Sequence, residues 1–346
     1  MEYPKFKVCC RCFTFNQAKY ITDALNGFTM QQTSFPFVCT IVDDASTDGE
    51  QDVIRKYMED NFDFSEGSVS YHKETDYAHI TYAQHKTNKN CYFAVLYLKE
   101  NHYSQRKPKI GYLSEWREMC EYEALCEGDD YWIVPDKLQK QVDAFCDDNV
   151  TMIYTDYKNV DENGIEIIRN EYENMYKSFH HSGDNLPDLF RTNYPLTVTV
   201  MCRTSIYNIE PLKSSPARLD YMLFMSCAIH GNFVYINEKT SCYRCNRQSF
   251  MFTQTDMIKN TYLKIYPYVS QYYLKGKNRK KESFCNDFLI RMQIAYRALK
   301  YQKEESLDYI NELVKTNFGI IFYIIPCYLI FYFKTIKNKL RCYHTL

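Results

Sequence analysis

Two pairs of adjacent aspartates are the groups in this chain best placed to do chemistry. Asp43-Asp44 follows the apolar run Thr40-Ile41-Val42, and Asp129-Asp130 follows Ala124-Leu125-Cys126-Glu127-Gly128. Neighbouring like charges repel unless a cation or hydrogen-bond donors compensate them. Hard divalent ions prefer such oxygen ligands, and Mg²⁺ takes one or two carboxylates together with substrate phosphates. A single Asp pair is most often a solvated turn; two of them, each at the end of a strand-like run, point to a metal-assisted phosphate site. The second pair runs into Tyr131-Trp132, and the chain has only 2 Trp. Both aromatic rings could offer a face to a ligand, with core packing the equal alternative for Trp132.

The elements that must position these acids alternate in the first half of the chain. Residues 6–15 (FKVCCRCFTF), 37–42 (FVCTIV), 122–126 (YEALC) and 152–160 (MIYTDYKNV) read as buried strands. Helical periods follow the first three, one of them capped by Asn16 and running to about Met30, another opened by Pro135. Such alternation predicts an α/β fold, a mostly parallel sheet flanked by helices. Both acidic pairs then sit at the carboxyl ends of strands, where open α/β sheets bind ligands. Residues 74–117 are polar, with 99–109 an exposed loop. Further on, 196–203 reads as a strand, 219–230 as a helix and 233–244 as a strand, and beyond about 252 the period is helical.

Composition removes several alternatives. The chain has 346 residues, 45% hydrophobic and 25% charged, the proportions of a folded protein with a sizeable core. Lys+Arg 42 against Asp+Glu 43 leaves a net charge of −1, so no basic field exists for a nucleic acid partner. The 10 glycines are too widely spaced for a GxGxxG or GxxxxGK[ST] loop, which also excludes a sugar-phosphate nucleotidyltransferase. The 15 cysteines are odd in number and scattered, not a disulfide framework. Cys9/Cys12 and Cys242/Cys245 have zinc-ligand spacing, but the first pair lies in a strand whose neighbours alternate faces, which favours core cysteines.

In combination these segments are similar to the family 2 glycosyltransferases. FTFNQAKYITDALNGFTMQQTSFPFVCTIVDDASTDG resembles that family's opening strand, T-x-N turn, helix and V-D-D-x-S-x-D strand end. CEGDDYWIVPDKLQKQVDAF resembles its acidic metal motif, with wording like the bacterial surface-polysaccharide members, and RLDYMLFMSCAIHGNFVYINEKTSCYR resembles the segment leading to a Y-R pair. The likeness covers roughly residues 6–250 and implies a GT-A fold, a nucleotide-sugar donor (UDP-sugar foremost), Mn²⁺ or Mg²⁺, and inverting transfer. By the same likeness Asp130 would ligate the metal, Asp129 would contact the ribose or donor sugar, and Asp43 and Asp44 would serve the base or ribose. Thr14 and Phe15 would wall the base, joined by Asn16 unless Asn16 only caps its helix, and Tyr131 and Trp132 would offer an acceptor platform, since sugars stack on aromatic faces, unless Trp132 is core. Asp220 would be the general base, or a plain helix cap; Arg244 and Arg247 would bind the diphosphate, or be surface charges. Where family members often carry His two residues after the Arg, this chain has Asn246, which favours an alternative reading as a non-catalytic nucleotide-sugar-binding assembly subunit.

The expected organisation is a GT-A domain over 1–250, a helical extension over 251–317 and an apolar, basic tail over 318–346. From Phe318 to Phe333 the tail carries no charge, and Lys334, Lys337, Lys339 and Arg341 follow with no acid after Glu312. As a helix the run reaches roughly 24 Å, short of a hydrocarbon core of about 30 Å. It reads either as an interfacial anchor or as a helix docked on protein. With no signal-like apolar run at the start, the expected setting is cytoplasmic, peripheral on the inner membrane face, with a glycan or lipid-linked acceptor building surface polysaccharide.

Overall fold

A computed structural model describes residues 3–168, 177–217, 219–245, 255–276, 284–305 and 308–329. Ten strands form one sheet: β1 (Val8–Thr14), β2 (Phe37–Asp43), β3 (Tyr71–Glu74), β4 (Ala78–Gln84), β5 (Cys91–Leu98), β6 (Tyr122–Leu125), β7 (Tyr131–Trp132), β8 (Val150–Val160), β9 (Met201–Arg203) and β10 (Asn232–Arg244). Their order is β3-β4-β5-β2-β1-β6-β9-β8-β10-β7. The centre, β5-β2-β1-β6, is parallel, and the strands outside it pair antiparallel, as β4 with β5 and β9 with β6. The fold class is the α/β one read from the sequence, with a helical C-terminal portion.

Helices α1 (Ile21–Thr29), α2 (Glu50–Asn61), α3 (Ser114–Arg117) and α4 (Lys137–Asp143) cover the sheet. The central strands are apolar on both faces, because side chains alternate. Phe37, Cys39 and Ile41 of β2 pack with Ile21, Leu25 and Phe28 of α1 and with Ile54 and Met58 of α2, while Val38 and Val42 pack against Ile80, Leu96 and Trp116 on the other face. The same alternation sends Cys9 to one face and Cys10 and Cys12 to the other, so Cys9 and Cys12 cannot share a metal. Every cysteine whose side chain is described is a free thiol.

Three local expectations change. Helix α1 starts at Ile21 and not at Asn16, whose φ of 53° places it in the left-handed region. The polar stretch after residue 74 contains β4 and β5, and β5 is buried along its whole length. Of 196–203, only Met201–Arg203 is strand; a 3₁₀ turn, Thr197–Thr199, precedes it.

By contacts the chain divides into two compact units. The first joins Met1–Ser182, Pro195–Ile206 and Phe233–Ser249; the second joins Gly183–Tyr194, Tyr207–Asn232 and Phe250–Leu346. The second is helical: α5 (Leu186–Arg191), α6 (Asp220–His230), α7 (Thr255–Leu274), α8 (Phe284–Glu305) and α9 (Asp308–Thr316). Within it the Tyr221 hydroxyl donates to the Leu189 carbonyl at 2.9 Å, and Arg297 Nε donates to the Phe190 carbonyl at 2.8 Å.

One core residue gives a stability prediction. Lys137, at the start of α4, is fully buried; its ammonium lies 4.7 Å from the centre of the Trp132 ring and donates to Gln141 Oε1 at 2.5 Å. Burial drives its pKa down to about 7 from 10.5. Charging therefore costs more in the folded than in the unfolded chain below pH 10.5. The contribution of a neutral Lys137 is present above 10.5 and lost as pH falls through 7. Unfolding free energy of the wild type should rise by roughly 2–4 kcal/mol between pH 7 and 10.5 from this group alone. Urea titrations of Lys137→Met should lack that slope; an unchanged slope would refute the assignment.

Candidate active site

The carboxyl ends of β1, β2 and β6 bring three loops together. Asp44 amide donates to the Thr14 carbonyl at 3.0 Å, and Gly128 amide donates to the Phe13 carbonyl at 3.1 Å. These bonds extend the parallel ladder beyond its last formal pair and set the second acidic pair beside the end of β1. The approach there is too close for any side chain at residue 128. A Cβ on Gly128 would lie 2.3 Å from Thr14 Oγ1 and 2.4 Å from Gln17 Oε1.

Beneath that contact lies Glu50, the first residue of α2 and fully buried. It accepts hydrogen bonds from the Thr14 hydroxyl, from the Gln17 amide at 2.8 Å and from the Ser46 hydroxyl at 2.8 Å. Burial raises its pKa to about 7, against the lowering effect of those donors. Neither Glu50 nor Gln17 stands out in the sequence. A Glu in the first turn of an amphipathic helix reads as a solvated, dipole-favoured charge. The Thr14 hydroxyl is correspondingly turned inward, not toward a base. Phe15 is exposed at the strand end. Asn16 Oδ1 accepts from the Thr47 amide at 2.8 Å, and its own amide donates to Ser46 Oγ at 2.9 Å, so Asn16 ties the β1 loop to the β2 loop and does not cap α1.

The first acidic pair is part of the scaffold. Asp43 is fully buried; its Oδ1 accepts from the Ser46 amide at 3.0 Å and from Gln51 Nε2 at 2.6 Å, and its Oδ2 has no partner. Asp44, equally buried, accepts from the amides of His102 at 2.8 Å and Tyr103 at 3.1 Å and from Lys109 Nζ at 2.7 Å. The segment 99–109 is thus anchored to the sheet by its backbone, which no polar-composition argument can show. Between the pair and Ser46, Ala45 has a φ of 59°, a conformation costly for a residue with a Cβ and of a kind that recurs at functional loops. The loop holding His85 turns before β5 at the amino ends of the parallel strands, the edge opposite both acidic pairs.

The second pair has a different character. Asp130 is buried, and its Oδ1 accepts from the Arg244 backbone amide at 2.8 Å. Burial holds the Asp130 carboxyl well above the usual carboxylate range, and the neighbouring Asp129 charge pushes it further. Asp129 is also raised by burial, opposed by the Arg244 charge and by a bond from Gln17. Two acids that resist ionisation side by side suit a divalent cation, whose charge would relieve both. Among the described residues no cluster of three or more His, Cys, Asp or Glu is assembled for a metal. Protein ligands beyond the pair are therefore not supplied by such a cluster.

Arg244 closes the site from behind. Its Nε donates to the Asp129 carbonyl at 2.9 Å, its two terminal nitrogens to the Asp161 and Glu162 carbonyls at 3.3 and 3.2 Å and to Asp23 Oδ2 at 2.7 Å. The guanidinium lies against the rings of Tyr20, at 4.6 Å, and Tyr131, at 5.3 Å. Every nitrogen of its head is engaged inside the protein, so in this structure it positions the acidic loop where a diphosphate contact was expected. Trp132 is core, not platform. It is 2% exposed, packs edge-on against Phe28 at 4.9 Å and donates through Nε1 to the Val198 carbonyl at 3.0 Å. Tyr131 is half-buried beside Arg244. Asp220 is the first residue of α6, after Leu219 at the cap, and belongs to the second unit. Asn246 and Arg247 lie outside the described residues.

No family model matches the chain. Uncharacterized proteins of Mycobacterium bovis and Mycobacterium tuberculosis are 28% identical over 238 residues, 67% of this chain and 56% of theirs. Among solved structures, S. aureus TarS superposes with a TM-score of 0.53 at 15% identity, over 90% of this chain and 49% of that one. TarS 1–349 in complex with UDP gives 0.51 at 15%, over 91% and 80%, and its complex with UDP-GlcNAc gives 0.51 at 16%, over 92% and 82%. The chain spans about half the length of the curated relatives it matches, 56%. At these identities the likeness to TarS is one of fold.

Proposed function

We propose that this protein is an inverting, metal-dependent glycosyltransferase of the family 2 type. It would move a sugar from a nucleotide donor, a UDP-sugar foremost, to a glycan or lipid-linked glycan in surface-polysaccharide synthesis. The observation that carries the reading is the Asp129-Asp130 pair at the carboxyl edge of a parallel sheet, with Asp130 buried and held by the Arg244 amide. Its support is the shared fold of TarS, solved with UDP and UDP-GlcNAc.

In this reading Asp130 holds the cation with Asp129 beside it, oriented by Gln17 and the Arg244 clip. A bound Mg²⁺ or Mn²⁺ supplies Lewis-acid stabilisation of the departing diphosphate. Phe15 and Asn16, at the exposed end of β1, border the base. Asp43 and Asp44 act by fixing the loops around it. Asp220 takes the proton of the acceptor hydroxyl as that oxygen attacks the anomeric carbon from the face opposite the phosphate. Its place in the first turn of α6 favours the ionised carboxylate a base requires.

A panel of UDP-, GDP- and dTDP-sugars tests the reading. The expected result is a Mn²⁺-dependent thermal shift with one base class and slow donor hydrolysis. A metal-dependent shift with no turnover on any acceptor would select the non-catalytic alternative instead. No shift with any donor would remove both.

A further inference from the structure

The end of the second unit carries an apolar face that its own fold leaves open. Residues 321–329 are helical and follow a 3₁₀ turn, Phe318–Ile320. One side of this segment is docked: Ile320 and Cys327 are buried, and Tyr323, Ile324 and Cys327 pack on Ala295 and Leu299 of α8. The other side presents Phe322, Ile325 and Leu329, which are 72%, 58% and 51% exposed, at i, i+3 and i+7 spacing. Phe318 and Tyr328, also exposed, widen that stripe.

Solitary exposed apolar residues need no explanation, but a continuous aromatic-rich stripe does. Charge says what covers it. No acid follows Glu312, whereas Lys315, Lys334, Lys337, Lys339 and Arg341 all lie beside or beyond the stripe in sequence. A protein partner would be expected to meet a rim of both signs; a one-signed basic flank on an aromatic face matches the headgroup region of an anionic bilayer. Crossing is a different matter: among the described residues no helix is long and apolar enough to span a membrane. Half of the segment is also held by α8. We propose that this face lies flat on an anionic membrane, with Phe322, Ile325 and Leu329 in the headgroup–acyl boundary.

The full chain should co-sediment with phosphatidylcholine vesicles containing about 30% phosphatidylglycerol, and bind at least tenfold less to pure phosphatidylcholine or in about 0.5 M salt. Phe322→Ser with Ile325→Ser should cut the partition coefficient about tenfold or more while circular dichroism is unchanged. Lys334→Gln, Lys337→Gln and Lys339→Gln together should cut it about a hundredfold. Wild-type protein that stays in the supernatant overturns the proposal. So does a concentration-dependent dimer dissolved by the serine pair, which would assign the stripe to a second copy. Sedimentation is read without any sugar donor, so its outcome is independent of the transferase reading.

Discussion

If the chain is the proposed transferase, Asp130→Asn should lower sugar transfer by at least about a hundredfold and leave the melting temperature equal or higher. The geometry explains both halves. An asparagine keeps the Oδ1 that receives the Arg244 amide at 2.8 Å, so the acidic loop retains its anchor. It also removes a carboxylate whose ionisation is opposed by burial and by Asp129, and so relieves a cost of folding at neutral pH. What would be lost is the anionic oxygen proposed to hold a divalent ion, and electrostatic stabilisation of a leaving group is commonly worth a factor of 10² to 10³. Steady-state transfer with the cognate donor, beside isothermal titration of Mn²⁺ with UDP, checks the claim. Normal turnover by the variant would move the metal elsewhere; a lost fold would make Asp130 a structural residue.

The second large effect is on folding. Gly128→Ala should destabilise the first unit by about 2–3 kcal/mol, the upper range for overpacking a tight contact. The new methyl would meet Thr14 Oγ1 at 2.3 Å and Thr14 Cβ at 2.7 Å, atoms fixed by β1 and by Glu50, not the free end of a long side chain. Relief requires either β1 or the acidic loop to move, and transfer should fall with stability. Gly111→Ala is the control: nothing lies within 4 Å of its added carbon, and its stability should stay within about 0.5 kcal/mol of wild type. Equal urea midpoints for the two variants would show that the contact is softer than drawn here.

The parts of this molecule legible in the sequence are those written by local pattern. β1, β2 and β6 are short, largely apolar runs, the last two leading into acids, and the helix Asp220–His230 and strand Asn232–Arg244 lie almost where their periods place them. The parts that were not legible depend on partners far away in the chain. Cys91–Leu98 is as apolar as any strand, but polar flanks hide it, and only its pairing with β2 makes it central. Trp132 looks the same in sequence as a sugar platform or as core, and its indole bond to Val198 decides the matter. Asp44 and Arg244 carry a motif's residue types yet direct them inward. A motif specifies which charges are present, whereas the loops facing them determine whether those charges meet a ligand or the backbone.

The Arg244 clip also has a consequence for synthesis. Asp23, Asp129 and Asp130 leave the ribosome long before the arginine that joins them, since that arginine is the last residue of β10. A nascent chain that has emerged only through β8 holds the acidic loop with no cation behind it and β7 with no strand to pair. The acidic edge is therefore completed only when β10 adds beside β8 and pairs with β7, and a ribosome stalled before that point would hold the loop without its clip.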